Sequence, residues 1–407
     1  MSDSLSWRAR LGKAAERFLP NLEDRAFNRT RDASTPTSRA PQGGYVPPSF
    51  RERPPHIVVV PQEGPQCESW RPGTRNFYYE AYQAAREMFG ERSVSVLDVG
   101  PGELPDVWQR RLRDHLHDTQ ATHVVTHIEH DPGSPEEWTW DTAWNSLAQQ
   151  WDGVLLGVMF DSAFSLVTMK SRRIARMSTN FMAVDICTSM DSVLVPGRVE
   201  VGPVTMPVSR QSSAMVLERI KDVVPTHDVS FIGVMYPYRV ELVQRLRAAG
   251  VDVAVNPHRV DSAEDPASSR QAQPSWLDYM AGLASSRMTI NFSRFSAGDA
   301  EQLKTRVIEA TLAGTFLLTD DRDSTRLFFS PGVEYGYFAD VQDLPRVLEL
   351  WLSRAPALDE GRRAAQGKAL GIGQSDFWTR IGRGLETRRL PGLASLANGV
   401  SGSPSTA

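Results

Sequence analysis

Residues 291–310, Asn-Phe-Ser-Arg-Phe-Ser-Ala-Gly-Asp-Ala-Glu-Gln-Leu-Lys-Thr-Arg-Val-Ile-Glu-Ala, hold the densest grouping of side chains that could do chemistry. The apolar run 288–292 predicts a strand. A small-residue loop follows, then a helix over 303–313 carrying Lys304, Arg306 and Glu309, then Gly314 and another strand. Backbone N–H groups at a helix start, with two cations close by, suit a diphosphate. A carboxylate such as Glu309, two turns in, is acceptor-only when ionised and can take both hydroxyl hydrogens of a ribose. Glu309→Ala is therefore expected to weaken nucleotide binding more than tenfold and leave the fold intact.

Other groupings are thinner. Residues 126–131, Thr-His-Ile-Glu-His-Asp, close a strand with two imidazoles and two carboxylates, and His127 beside a carboxylate could serve as general base. The same residues could form a metal cluster. On a strand, however, His127 and Glu129 face one side and His130 the other, so one ion cannot easily collect them all. Asp161, after the next strand, is a candidate contact for an acceptor hydroxyl. Asp320-Asp321-Arg322-Asp323 contains a D-x-D pattern, read here as a strand-end loop and not a metal site. Residues 97–103, Leu-Asp-Val-Gly-Pro-Gly-Glu, resemble the first motif of S-adenosylmethionine-dependent methyltransferases, although Pro101 and Pro105 stiffen the turn. Trp138, Trp140 and Trp144 could stack on a sugar or pack in a core.

These residues need elements to position them, and the pattern is strand, helix, strand, repeated. Apolar runs at 56–60, 94–99, 122–128, 153–160 and 181–186 alternate with helical segments at 75–89 and 108–117. A second series has strands at 229–233, 251–255, 288–292, 315–319 and 333–338. Its helices fall at 215–221, 239–249, 276–284, 303–313 and 344–351. Such alternation indicates parallel sheets with helices on both faces, and ligands at the strand C-termini. The expected division is a helix and flexible linker at 1–53, a first Rossmann-like domain at 54–208, a second at 209–390, and a disordered tail at 391–407. The fold class is α/β.

Phe231-Ile232-Gly233 with Tyr236-Pro237-Tyr238-Arg239, then residues 303–310, then Phe328-Phe329-Ser330-Pro331-Gly332-Val333-Glu334, resemble the C-terminal half of GT-B glycosyltransferases. The subgroup most like it is the spore-maturation-like (CgeB-like) one, related to the retaining family 4, and the resemblance covers roughly residues 225–372. It implies two Rossmann-like domains facing across a cleft, the nucleotide-sugar donor in the second and the acceptor against the first. It also implies that Glu309 holds the ribose, that Lys304 and Arg306 lie near the diphosphate, and that Gly233 with Tyr238 and Arg239 closes over the donor. Asn291 joins this donor-binding set. Glu301 and Glu309 reproduce an E-x7-E spacing whose first carboxylate faces the donor sugar, making Glu301, His127 and Asp161 the candidate catalytic residues.

Composition sets outer limits. The 407 residues carry 45 basic and 49 acidic side chains, a net charge of −4 that offers no general nucleic-acid footprint. Two cysteines, Cys67 and Cys187, argue against a disulfide framework. No apolar stretch approaches the ~20 residues that span a bilayer, so a cytoplasmic protein without an integral membrane segment is expected. The expected activity is sugar transfer from a nucleotide diphosphate sugar to an acceptor hydroxyl, retaining, with no metal or cofactor. A non-catalytic nucleotide- or glycan-binding protein and a methyltransferase are the alternatives.

Overall fold

The computed structural model describes residues 54–387 except 101, 129–143, 145–146, 148–150, 161–166, 168–170, 172–173, 176–179, 187–199, 234, 236, 257–274, 295–300, 321 and 323, and adds Leu393. The expected N-terminal helix, the C-terminal tail, Glu129, His130, Asp131, Trp138, Trp140, Asp161, Cys187, Asp321 and Asp323 lie outside the described residues.

Two all-parallel sheets form the chain, the α/β class expected. The first, in the order β2-β1-β3-β4-β5-β6, uses β1 (Ile57–Val60), β2 (Val94–Val96), β3 (His123–His127), β4 (Val154–Met159), β5 (Phe181–Asp185) and β6 (Glu200–Val201). The second, in the order β11-β10-β9-β7-β8, uses β7 (His227–Phe231), β8 (Val253–Val255), β9 (Ser286–Asn291), β10 (Phe316–Thr319) and β11 (Tyr335–Tyr337). Strands β1, β3, β4 and β5 are buried along their whole length, as continuous apolar runs demand of a sheet covered on both faces. Each sheet has its own pair of apolar clusters, Ile57 and Val58 pointing into different ones in the first domain, Ile232 and Phe231 in the second. Among the described residues no helix is long and apolar enough to cross a membrane.

Eight helices matter here: α1 (Phe77–Phe89), α2 (Pro105–Asp118), α3 (Arg210–Ile220), α4 (Pro237–Ala248), α5 (Trp276–Ala284), α6 (Arg306–Leu312), α7 (Leu344–Leu352) and α8 (Ala355–Thr387). Helix α8 has no counterpart in the sequence reading, which stopped at residue 351. Its 33 residues change partner along their length. Leu358, Ala365 and Ala369 pack in the second domain, whereas Phe377, Trp378, Ile381 and Leu385 enter the core of the first. Gly361 is required there, because a Cβ would stand 2.3 Å from the Val333 carbonyl oxygen.

The joint between the domains runs along α1. Glu80, 2% exposed, accepts from the Ser209 N–H at 2.6 Å and the Ser212 hydroxyl at 2.5 Å. Glu87 accepts from the Arg210 N–H at 3.2 Å. These two carboxylates thus satisfy orphan amide donors at the start of α3, where negative charge is also favoured by the helix dipole. The Trp378 indole N–H donates to the Ala81 carbonyl at 3.0 Å, and the Phe377 ring sits edge-on to Phe77 at 5.6 Å.

Burial pushes the Glu80 carboxyl above its ordinary range, against the pull of its hydroxyl and amide donors. The folded state therefore binds more protons than the unfolded one, so this residue's contribution falls as pH rises through its folded pKa. Glu80→Ala is expected to destabilise the chain by about 2–3 kcal/mol, by leaving buried donors unpaired, as read from urea unfolding. Glu80→Gln should cost less, and wild type should lose ground to it as unfolding is repeated from about pH 4 to about pH 7.

Candidate functional site

In the second sheet the chain goes from β7 outward to β8 and then returns to the other side of β7 as β9. That reversal opens a crevice beyond the C-terminal ends of β7 and β9, where parallel sheets take their ligands. Gly233 follows β7, Asn291 ends β9, and α6 rises just beyond.

Gly233 adopts φ +141°, and a Cβ there would lie 3.3 Å from an Nη of Arg306. Its N–H donates to the Asn256 side-chain oxygen at 2.8 Å, which pins the loop to the end of β8. The glycine leaves room for the Arg306 guanidinium, 5.8 Å over the Phe231 ring. Arg239, in the first turn of α4, stacks on Phe231 at 5.2 Å and Phe292 at 5.6 Å, and its Nε–H donates to the Tyr238 hydroxyl at 2.8 Å. Tyr238 is exposed. The Lys304 ammonium is hydrogen-bonded to the Gln302 side-chain oxygen. The crevice thus brings Gly233, Tyr238, Arg239 and Arg306 together.

Three polar atoms of residues 293–306 are buried without a hydrogen-bond partner among the described residues: Arg306 Nε, Gln302 Nε2 and Ser293 Oγ. Buried donors without acceptors are uncommon. Asn291 is fully buried, and its amide donates to the Thr319 hydroxyl at 3.3 Å across to β10. It shapes the floor. Asp320, from the D-x-D run, accepts from the Ser293 N–H at 3.1 Å.

Two expectations about α6 need correction. The helix starts at Arg306, so Lys304 precedes it, and it spans only 7 residues. Its early amides are also in use, the Val307 N–H donating to Lys304 O and those of Ile308 and Glu309 to Thr305 O. These three amides are therefore not free for an anion.

Glu309 differs most from its expected setting. It is 4% exposed, and its carboxylate already accepts from the Trp276 indole N–H at 3.2 Å, the Tyr279 hydroxyl at 3.0 Å and the Thr305 hydroxyl at 3.2 Å. Arg75 of the first domain adds an ion pair at 2.9 Å from its Nε, while its Nη2 donates to Thr305 at 2.6 Å. Burial and the Glu309 charge push the Tyr279 hydroxyl well above its usual range, so it remains a donor. The Glu309 charge likewise raises Arg75 further. Arg75 was not singled out by the sequence reading. Its one signal is position, a cation one residue before the helix cap Asn76.

The remaining candidates are scattered. Glu301 pairs backbone to backbone with Arg294 as an isolated bridge, and its carboxylate meets Arg322 at 3.5 Å. His127 is buried at the end of β3, edge-on to Phe160 at 5.0 Å. Trp144 is a core residue, fully buried against Trp108 at 5.5 Å. The glycine turn after β2 closes on itself: the Gly100 N–H donates to Glu103 at 3.0 Å, and Arg111 pairs with Glu103 at 3.2 Å.

Residues 216–371 match the model of a protein family described as Glycosyl transferase-like. No curated protein matches the chain. Among solved structures, AviGT4, a glycosyltransferase involved in avilamycin A biosynthesis, is 16% identical, with 82% of this chain and 97% of that chain covered and a TM-score of 0.48. A sucrose-phosphate synthase from Thermosynechococcus elongatus is 12% identical over 83% and 99% of the two chains, TM-score 0.48. HepE from Anabaena, solved with UDP-glucose, is 11% identical over 81% and 98%, TM-score 0.49.

The donors around Glu309 make Glu309→Ala a structural lesion. It strands the buried Trp276 and Tyr279 donors, at about 1–3 kcal/mol for a buried group left unsatisfied. Glu309→Ala should lower the urea midpoint accordingly, against the sequence-based expectation of an intact fold. Glu309→Gln, which keeps the shape and one acceptor, should lose less.

Proposed function

We propose that the protein is a glycosyltransferase that moves a sugar from a nucleotide diphosphate sugar to an acceptor hydroxyl, with retention and without a metal ion. The observation that carries the reading is the crevice at the β7/β9 reversal of a glycosyl transferase-like domain, where the buried Arg306 Nε has no acceptor.

Glycosyl transfer breaks the bond between the anomeric carbon and the diphosphate, and the leaving oxygens gain negative charge as it breaks. Preoriented donors aimed at that charge are often the largest catalytic contribution. Arg306 over Gly233, Arg239 on its aromatic platform and Lys304 beside Gln302 supply three cations for it. Charge neutralisation by side chains is what a metal-independent leaving group requires. The Gly233 turn lets the diphosphate approach the backbone, with Tyr238 and Arg239 at the mouth. Glu309 anchors the ribose once one of its protein donors withdraws. Glu301, eight residues before it, faces the donor sugar in this reading. His127 ends strand β3 of the first domain, and in this reading it acts with Asp161 on the acceptor side.

A thermal-shift panel of UDP, GDP, TDP and S-adenosylmethionine tests the assignment. One nucleoside diphosphate should raise Tm and S-adenosylmethionine should not. Stabilisation by S-adenosylmethionine alone rejects the reading. Arg306→Ala should weaken the preferred diphosphate about 10- to 100-fold by titration calorimetry, the worth of charge-assisted hydrogen bonds of about 1.5–3 kcal/mol.

A further inference from the structure

The carboxylate assigned to the ribose is filled by a side chain from the other domain. An ionised carboxylate offers about four lone-pair sites, and Glu309 meets four donors: Trp276, Tyr279, Thr305 and Arg75. Three of these belong to the second domain, on α5 and just before α6. Arg75 alone comes from the first, from the residue ahead of the α1 cap.

The contact has a particular shape. One edge of the Arg75 guanidinium donates twice, Nε to Glu309 at 2.9 Å and Nη2 to the Thr305 hydroxyl at 2.6 Å, and Thr305 donates onward to Glu309 at 3.2 Å. Two adjacent donors on a rigid edge are what a guanidinium presents. A ribose cis-diol also presents two adjacent donors. Withdrawal of Arg75 would release two neighbouring acceptors, one oxygen of Glu309 and the Thr305 hydroxyl, in the place the diol needs.

Arg75 is held for this contact at a conformational cost. Its backbone is left-handed, at φ +64°, which non-glycine residues rarely adopt. Strain of this kind persists where surrounding structure over-determines it and clusters at ligand clamps and switches. The guanidinium also lies 5.9 Å over the Tyr279 ring, yet its side chain is 44% exposed, so it can leave into solvent.

We propose that Arg75 is a gating residue of the nucleotide pocket: its guanidinium edge stands in for the ribose cis-diol on Glu309 and Thr305, and the incoming nucleotide must displace it. The inference rests on the donor-site reading given above. It makes nucleotide binding and the Arg75–Glu309 pair mutually exclusive, so each weakens the other by the same factor.

Calorimetric titration of the full chain with UDP and GDP, and with their 2′-deoxy counterparts, tests it. Arg75→Ala should bind the preferred ribonucleotide roughly tenfold more tightly than wild type, within the usual span of coupling between sites. The gain should shrink severalfold for the 2′-deoxy form, which lacks one of the two competing donors. Arg75→Lys, which keeps the charge but loses the double edge, should show a partial gain. Unchanged or weaker binding by Arg75→Ala, or an equal gain with the 2′-deoxy nucleotide, overturns the gate. If wild type binds a nucleoside diphosphate while that happens, the donor-site reading survives alone. If neither wild type nor Arg75→Ala binds any of the four, both fall.

Discussion

A carboxylate at 4% exposure sets the terms for its whole neighbourhood. An ionised group taken out of water is destabilising by several kcal/mol unless donors replace its hydration. Glu309 obtains them from three separate pieces of chain. Trp276 and Tyr279 are three residues apart on α5 and so share a helix face. Thr305 must stand just before α6, and Arg75 must reach across from the first domain. The opposite end of α6 is fixed as firmly, since Gln366 donates to Leu312 O at 3.0 Å and Arg362 to Gly314 O at 2.7 Å. A helix of seven residues is marginal alone. Held by polar contacts at both ends over the buried Val307 and Ile308, it becomes a rigid support for Arg306.

The joint between the domains divides into two kinds of contact. Along α1, Glu80, Glu87 and Tyr79 hydrogen-bond to the start of α3, with Tyr79 meeting Gln211 at 3.2 Å. Farther along the chain, α8 packs Phe377 and Trp378 edge-to-face with Phe77 and Phe89 of α1. The first set is directional and short in reach, so it fixes the angle at which α3 leaves the first domain. The aromatic set is area-driven and tolerant of small sliding. Arg75 sits immediately before α1 and therefore inherits its position from both. A cation that touches the second domain's buried carboxylate is thus anchored by the same helix that joins the domains.

Much of this was legible in the residues. A continuous apolar run such as 153–160 is the length of a buried strand and became β4, and the helix at 276–284 follows its own cap, Ser275. Gly233 and Arg239 enter through the resemblance of residues 231–239 to the C-terminal half of GT-B glycosyltransferases, and Arg306 through its place beside another cation after a strand and a small-residue loop. Helix α8 escaped because it is interrupted by Gly361, Gly367, Gly371, Gly373, Gly382 and Gly384, each unfavourable in a helix by ~1 kcal/mol, and because its apolar face rotates as it passes between domains. The saturation of Glu309 could not be read at all. Arg75 lies 234 positions earlier, and a pair so separated leaves no local pattern.

The nature of the anion site follows from what the backbone does not supply. With the amides of residues 307–309 turned to Lys304 and Thr305 carbonyls, the dipole of a short helix contributes little beyond its first turn. In the proposed donor site the positive charge comes from Arg239, Arg306 and Lys304, and these repel one another. Aromatic faces ease that repulsion. Stacking over Phe231 and Phe292 stabilises a guanidinium through the ring quadrupole, by ~0.5–2 kcal/mol, and it uses the flat face of the cation. The N–H donors lie in the plane, at the edge, where phosphate oxygens accept them. A lysine cannot divide its face from its edge in this way. Two arginines sharing one phenylalanine can therefore be held oriented and partly desolvated before any anion arrives, so that little reorganisation remains for the binding step.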